Sequence, residues 1–318
     1  MKEKYPDAII VFVTPHKMPT RHLESFKQLV DLSLDICKKW GIPVADIYYE
    51  GSIDTCNNEQ RIEYSYNQNE GEGNGNGTHL TSTGYNIFYA PIISRVMSKS
   101  LTSATAKDLQ GKTLYSFGDS LVDGVDAAKN GMLNSVVKDY GLVHTKYAIR
   151  GSTINLHNTD QTKVVYNQIV GASDVCPDFI VFNGLTNDCN KTWELGEISE
   201  GFDTTLDTTT FCGSFETILR TLKNKYPTAK IIYVTPHKMT ARDADSLKLY
   251  VETALEICEK WSGYGISVVD IYHDSGLDLA DEEMGSRYSS DGCHLNKDGY
   301  DTFYAPAIAA KLIELAAE

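Results

Sequence analysis

Asp178-Phe179-Ile180-Val181-Phe182-Asn183-Gly184-Leu185-Thr186-Asn187-Asp188 divides at Asn183 into an apolar run and a turn rich in Asn and Asp. A strand that is apolar throughout, without alternation, is expected where helices cover both faces of a sheet. Further strands are predicted outward from it at Thr113–Phe117, closed by Gly118, and at Val143–Ala148, Lys230–Val234 and Ile266–Ile271. Between and after them, helical spacing marks Ala127–Tyr140, Thr162–Val170, Phe211–Lys225, Ala244–Trp261 and Lys297–Leu315, with Gly141 and Gly171 as stops. Strands alternating with helices predict an α/β fold, a five-stranded parallel sheet between two helical layers. Sites in such sheets lie beyond the carboxyl ends of the strands.

The second half of this pattern occurs twice. Lys4-Tyr5-Pro6 matches Lys225-Tyr226-Pro227, and Val13-Thr14-Pro15-His16-Lys17-Met18 is identical to Val234–Met239. Ile36-Cys37 and Trp40 match Ile257-Cys258 and Trp261. Asp46-Ile47-Tyr48 matches Asp270-Ile271-Tyr272, and Phe88-Tyr89-Ala90-Pro91 matches Phe303-Tyr304-Ala305-Pro306. Nothing ahead of Met1 corresponds to Lys112–Thr221. Three segments are therefore expected: a half-domain at 1–98, a linker rich in small and hydroxylated residues at 99–111, and a complete domain at 112–318. The half-copy suggests a fragment of a longer tandem protein or a start at an internal methionine; the alternative is a retained structural or dimerising element. Two strands and their helices make a poor independent core. Self-association through residues 1–98, or docking of that segment on the complete domain, is thus expected. Asn67–Gly77, alternating Asn, Gln, Glu and Gly, reads as a mobile loop.

Bulk properties narrow the function. A formal net charge of −14, without a basic cluster, argues against a nucleic-acid partner. No apolar stretch is long enough for a membrane span. The seven cysteines are odd in number, scattered and free of CxxC pairs, which favours reduced thiols over disulfides or a zinc site. With no leader-like start, the reading favours the cytoplasm; an export signal ahead of Met1 would reverse it.

Four segments at strand ends carry chemistry. Gly118-Asp119-Ser120 follows the first strand, Arg150-Gly151-Ser152 the second, Asn183–Asp188 the third and Asp291-Gly292-Cys293-His294 the fifth. Each alone reads more plainly as a turn, a helix cap or a surface loop. Together they supply an alcohol, a glycine whose N–H can approach a ligand, a side-chain amide donor and an imidazole. An Asp three residues before a His can accept its Nδ1–H and leave Nε2 to take a proton from a serine. The sequence has no GxSxG nucleophile elbow.

In this order, the four segments resemble the SGNH (GDSL) hydrolase family, whose four named residues are matched by Ser120, Gly151, Asn187 and His294. The resemblance spans Lys112 to Glu318, and His294-Leu295-Asn296 with Gly299-Tyr300 is similar to the family's last block. It implies a flavodoxin-like three-layer α/β/α sandwich preceded here by a half-domain repeat. It also implies a serine esterase acting on small acyl esters, acetyl or short-chain and on sugars by family habit, with no cofactor and no metal. Ser120 would be the nucleophile, His294 its base and Asp291 the group that orients and charge-balances His294. Ser120 and Gly151 N–H groups and the Asn187 amide would form the oxyanion hole. The alternative is a non-catalytic carbohydrate-binding or assembly module built from tandem units.

The half-copy keeps His79 opposite His294 but has Asn76 opposite Asp291 and no serine, so it is expected to be inactive. His16 and His237 end equivalent strands; a structural role is the first reading, and His237 in a pocket wall the second.

Overall fold

The computed structural model describes residues 10–66, 75–105, 108–125, 129–191, 193–202 and 204–318. They fall into two compact units, Met1–Ala104 and Thr105–Glu318.

In the first unit β1 (Phe12–Val13) and β2 (Val44–Ala45) form one parallel pair, with Phe12 beside Val44. The connection is α1 (Leu23–Trp40), ended by Gly41 in the left-handed region at φ 62°. A later helix, α2 (Ala90–Thr105), runs through the first part of the expected linker. That expectation needs correcting for residues 99–105. The run of Ala, Ser and Thr contains no Gly or Pro to stop a helix already begun, and the Ser100 hydroxyl returns to the Val96 carbonyl at 2.7 Å. The loop expected at Asn67–Gly77 lies outside the described residues from 67 to 74.

The second unit is an α/β fold around one parallel sheet. Its strands are β3 (Thr113–Phe117), β4 (Val143–Lys146), β5 (Phe179–Phe182), β6 (Lys230–Val234) and β7 (Ile266–Val269). They lie in the order β4-β3-β5-β6-β7. Leu114 stands beside Phe179, Phe182 beside Tyr233, and Val234 beside Val269. All of β5 is buried, as its unbroken apolar run requires. The order reverses between β3 and β5, so their following loops diverge and leave a crevice at the carboxyl edge.

Helices α3 (Asn134–Tyr140), α4 (Val165–Gly171), α5 (Phe211–Lys225), α6 (Ala244–Lys260) and α7 (Ala305–Ala316) accompany the strands. Two expected helices are altered. Of the one predicted from Ala127, residues 127 and 128 lie outside the described residues, and from 129 on the helix begins only at Asn134. The Met132 N–H donates to the Leu121 carbonyl at 2.9 Å, and a Cβ on Gly131 would lie 2.2 Å from the Val122 carbonyl oxygen. The chain is thus pinned against the turn after Ser120 and cannot coil there. The closing helix is interrupted by a π turn at Tyr300–Tyr304, as it is at Tyr85–Tyr89 in the first unit. The turn brings the Tyr304 hydroxyl within 2.8 Å of His237 Nδ1, and Tyr89 within 2.9 Å of His16 Nδ1.

Candidate active site

β3 feeds directly into Gly118-Asp119-Ser120. Gly118 has φ 143°, and a Cβ there would lie 2.8 Å from both the Asn183 carbonyl oxygen and Val122 Cγ2. Only glycine lets the ends of β3 and β5 approach this closely. Asp119 caps the next turn by accepting the Leu121 N–H at 2.8 Å. Burial pushes its carboxyl above the ordinary range, against the pull of that bond.

Ser120 is 8% exposed, and its Oγ lies 2.8 Å from His294 Nε2. His294 Nδ1 lies 2.6 Å from Asp291 Oδ2. The other Asp291 oxygen accepts the backbone N–H groups of Cys293 at 2.9 Å and His294 at 2.8 Å. Burial opposes ionisation of Asp291, but the His294 ring and these N–H groups outweigh it and bring the carboxyl down to about 2. The local turn that ties Asp291 to His294 therefore also keeps the carboxylate charged beside the imidazole.

Gly151 follows β4 at φ 77°, a left-handed conformation that glycine adopts without strain. Asn187 Nδ2 donates to the Ser152 carbonyl at 2.9 Å, and Arg242 Nη2 donates to Asn187 Oδ1 at 3.4 Å. The amide is thus oriented with its oxygen towards Arg242. Leu185, two residues earlier, has φ 80°, a conformation costing a non-glycine residue roughly 1–2 kcal/mol. Asp188 accepts the N–H groups of Ile154 and Asn155 at 2.9 and 2.8 Å, joining the loops after β4 and β5. Burial, with the nearby Asp119 carboxylate adding to it, raises the Asp188 carboxyl to about 7.

Gly151 and Asn187 open onto a cleft of about 300 Å³ walled by Thr153, Asn158, Asn190, Lys191 and the Asp160–Lys163 ion pair (3.2 Å). Among the described residues no apolar side chain lines it.

Ser120, His294 and Asp291 thus form one chain of hydrogen bonds, and Gly151 and Asn187 share one cleft. His237 does not line that cleft; it is fully buried, and burial lowers its pKa to about 3. The pocket-wall reading of His237 is corrected accordingly. Sequence reasoning passed over Gln168, Asp188 and Arg242. The loop residues they bridge lie 16 to 56 residues away, and no local spacing marks them.

In the first unit Asn76 Oδ1 accepts the N–H groups of Thr78 at 2.8 Å and His79 at 2.9 Å, the same turn that Asp291 makes. Asn76 Nδ2 stands 3.5 Å from His79 Nδ1. An uncharged amide therefore occupies the place of the carboxylate.

Among the described residues no group of three His, Cys, Asp or Glu is placed to hold a metal ion, and no helix is long and apolar enough to cross a membrane.

One solved crystal structure is 27% identical with a TM-score of 0.55, the match covering 65% of this chain and 99% of that one. A protein from Lactobacillus plantarum is 21% identical with a TM-score of 0.55, over 64% of this chain and 98% of its own. A possible lipase from Chitinophaga pinensis is 18% identical with a TM-score of 0.52, over 65% of this chain and 100% of its own. At these last two identities the likeness speaks for the fold. No curated protein matches the sequence. The profile of the GDSL-like lipase/acylhydrolase family matches residues 116–302, more than half of the sequence and the whole span from Gly118 to His294. The chain belongs to the GDSL-like lipase/acylhydrolase family.

Proposed function

We propose that the second unit is a serine esterase that cleaves short acyl esters of polar alcohols through an acyl-enzyme. The observation that carries this reading is the chain Ser120 Oγ–His294–Asp291, at 2.8 and 2.6 Å. Ser120 attacks the ester carbonyl while His294 Nε2 takes its proton. His294 then returns that proton to the departing alcohol, and water repeats the sequence on the acyl-serine. Asp291 stays ionised and balances the imidazolium. The Ser120 and Gly151 N–H groups with Asn187 Nδ2 hold the oxyanion; losing one such donor costs about 10²–10³ in rate.

The polar cleft beside Gly151 and Asn187 supports a small acyl group and a hydroxylated alcohol such as a sugar, because a long alkyl chain would find no apolar wall there. Hydrolysis of p-nitrophenyl acetate by wild type and Ser120→Ala is the test. Equal rates would remove the esterase reading and leave the binding or assembly module. Activity should fall from acetate to octanoate; a maximum at octanoate would reject the short-chain assignment.

Residues 1–98 are proposed to have no activity of their own and to self-associate. The exposed row Leu29, Leu32, Ile36 and Trp40 on one face of α1 supports the second point.

A further inference from the structure

Three loops must agree if the proposed oxyanion hole is to form. Ser120 N–H comes from the loop after β3, Gly151 N–H from the loop after β4, and the Asn187 amide from the loop after β5. One buried side chain joins them. Gln168, on α4, accepts the Gly118 N–H with Oε1 at 2.9 Å. Its Nε2 donates to the Gly118 carbonyl at 2.9 Å and to Ser152 Oγ at 2.8 Å. Ser152 in turn accepts Asn187 Nδ2 through its carbonyl at 2.9 Å.

We infer that Gln168 is a positioning residue for the oxyanion donors, on the reading that this site hydrolyses esters. Both polar atoms of the amide are engaged, and its two ends are not interchangeable: Oε1 must face an N–H, and Nε2 must face a carbonyl and a hydroxyl. Gln168 thus holds both the N–H and the carbonyl of Gly118, two residues before Ser120. Ser152 adjoins Gly151. Gln168 therefore sets the spacing of the first two donors directly, and of the third through Ser152. Preorganised donors owe their effect to this spacing, and a displacement of 1 Å can cost about a hundredfold in rate. Gln168 touches neither substrate nor Ser120, so its effect should fall on kcat rather than on KM.

The experiment compares wild type, Gln168→Met, Asn187→Ala and the double variant on p-nitrophenyl acetate, with Ser120→Ala as the zero. Methionine keeps the length of the side chain and forfeits its hydrogen bonds. Gln168→Met is expected to lower kcat about 10- to 100-fold while KM stays within about threefold. Because both single changes disable the same set of donors, the double variant should lose much less than the product of the two losses. Should Gln168→Met fail to fold, Ser152→Ala removes only the link between Gln168 and Ser152 and is expected to lower kcat about three- to tenfold. A folded Gln168→Met with wild-type kcat, losses that multiply, or a change confined to KM would overturn the inference alone. Wild type no faster than Ser120→Ala would overturn the esterase reading and this inference with it.

Discussion

α1 and α6 match at Val30, Ile36-Cys37 and Trp40 against Val251, Ile257-Cys258 and Trp261, yet they bury different surfaces. Val30 and Cys37 of α1 are buried, as are their counterparts Val251 and Cys258 of α6. The neighbouring face differs. Leu29 is 61% exposed where Tyr250 is 5% exposed, and Trp40 is 73% exposed where Trp261 is 2% exposed. In the second unit α5 supplies what covers that face. Phe211 meets Tyr250 edge-on at 4.7 Å, and Glu216 accepts the Trp261 indole N–H at 3.1 Å. Lys260 also pairs with Glu216, at 2.6 Å. Helix formation is thus a local matter, whereas burial of a helix depends on which other segments pack against it.

The same holds for chemistry. The turn Asn76–His79 reproduces the turn Asp291–His294 in its backbone bonds. Only the second copy has Ser120 at 2.8 Å from the ring. The largest test of this contrast is catalytic. Ser120→Ala in the whole protein should reduce turnover of p-nitrophenyl acetate by about 10³-fold or more. Residual turnover near the wild-type rate would remove the esterase reading, leave the two copies alike in lacking activity, and break the comparison.

Packing offers the next test. Trp261→Ala should cost about 3–5 kcal/mol in urea unfolding of the second unit, the usual range for a buried aromatic. Trp40→Ala should stay within about 0.5 kcal/mol for the first at dilutions where the protein is monomeric, as for most exposed positions. Comparable losses at those dilutions would show that Trp40 is covered within the single chain. Sizing sharpens the same point. If α1 pairs with a second copy through its apolar row, Trp40→Asp should shift the protein from a dimer to a monomer. A wild type that is monomeric at all concentrations, with residues 1–98 freely digested by protease, would end the self-association proposal.

A further difference follows from Asp188, which has no counterpart in the first copy. Burial keeps its carboxyl protonated up to about 7, while in an unfolded chain it ionises near 4. Between those values the unfolded chain gives up a proton that the folded unit retains, so stability falls as pH rises through that window and then levels. Asp188→Asn should flatten this slope in the Tm of the second unit by up to about ten degrees between pH 4 and 7. Identical slopes in wild type and variant would show that Asp188 ionises normally in the fold.

Much of this was legible in residue order. The strands Thr113–Phe117 and Lys230–Val234 and the helix Phe211–Lys225 occur at the boundaries their patterns predict. Apolar periodicity is a local property and survives reading in one dimension. Gly118-Asp119-Ser120 and Asp291–His294 could be singled out because each is a short motif at a strand end. The late start of α3 could not, since it depends on Gly131 meeting the Val122 carbonyl. Nor could Gln168, whose partner Gly118 is 50 residues distant and whose position within α4 has no distinguishing pattern.

The sequence alone determined the alternation of strands and helices, the matching stretches Val13–Met18 and Val234–Met239 and the identities of the candidate reacting groups. The tertiary structure alone decided that Gln168, Asp188 and Arg242 brace those groups and that Trp261 is covered while Trp40 is not. Hydrogen bonds and burial between distant segments depend on where a finished sheet brings them, and the order of residues along a chain does not specify that distance.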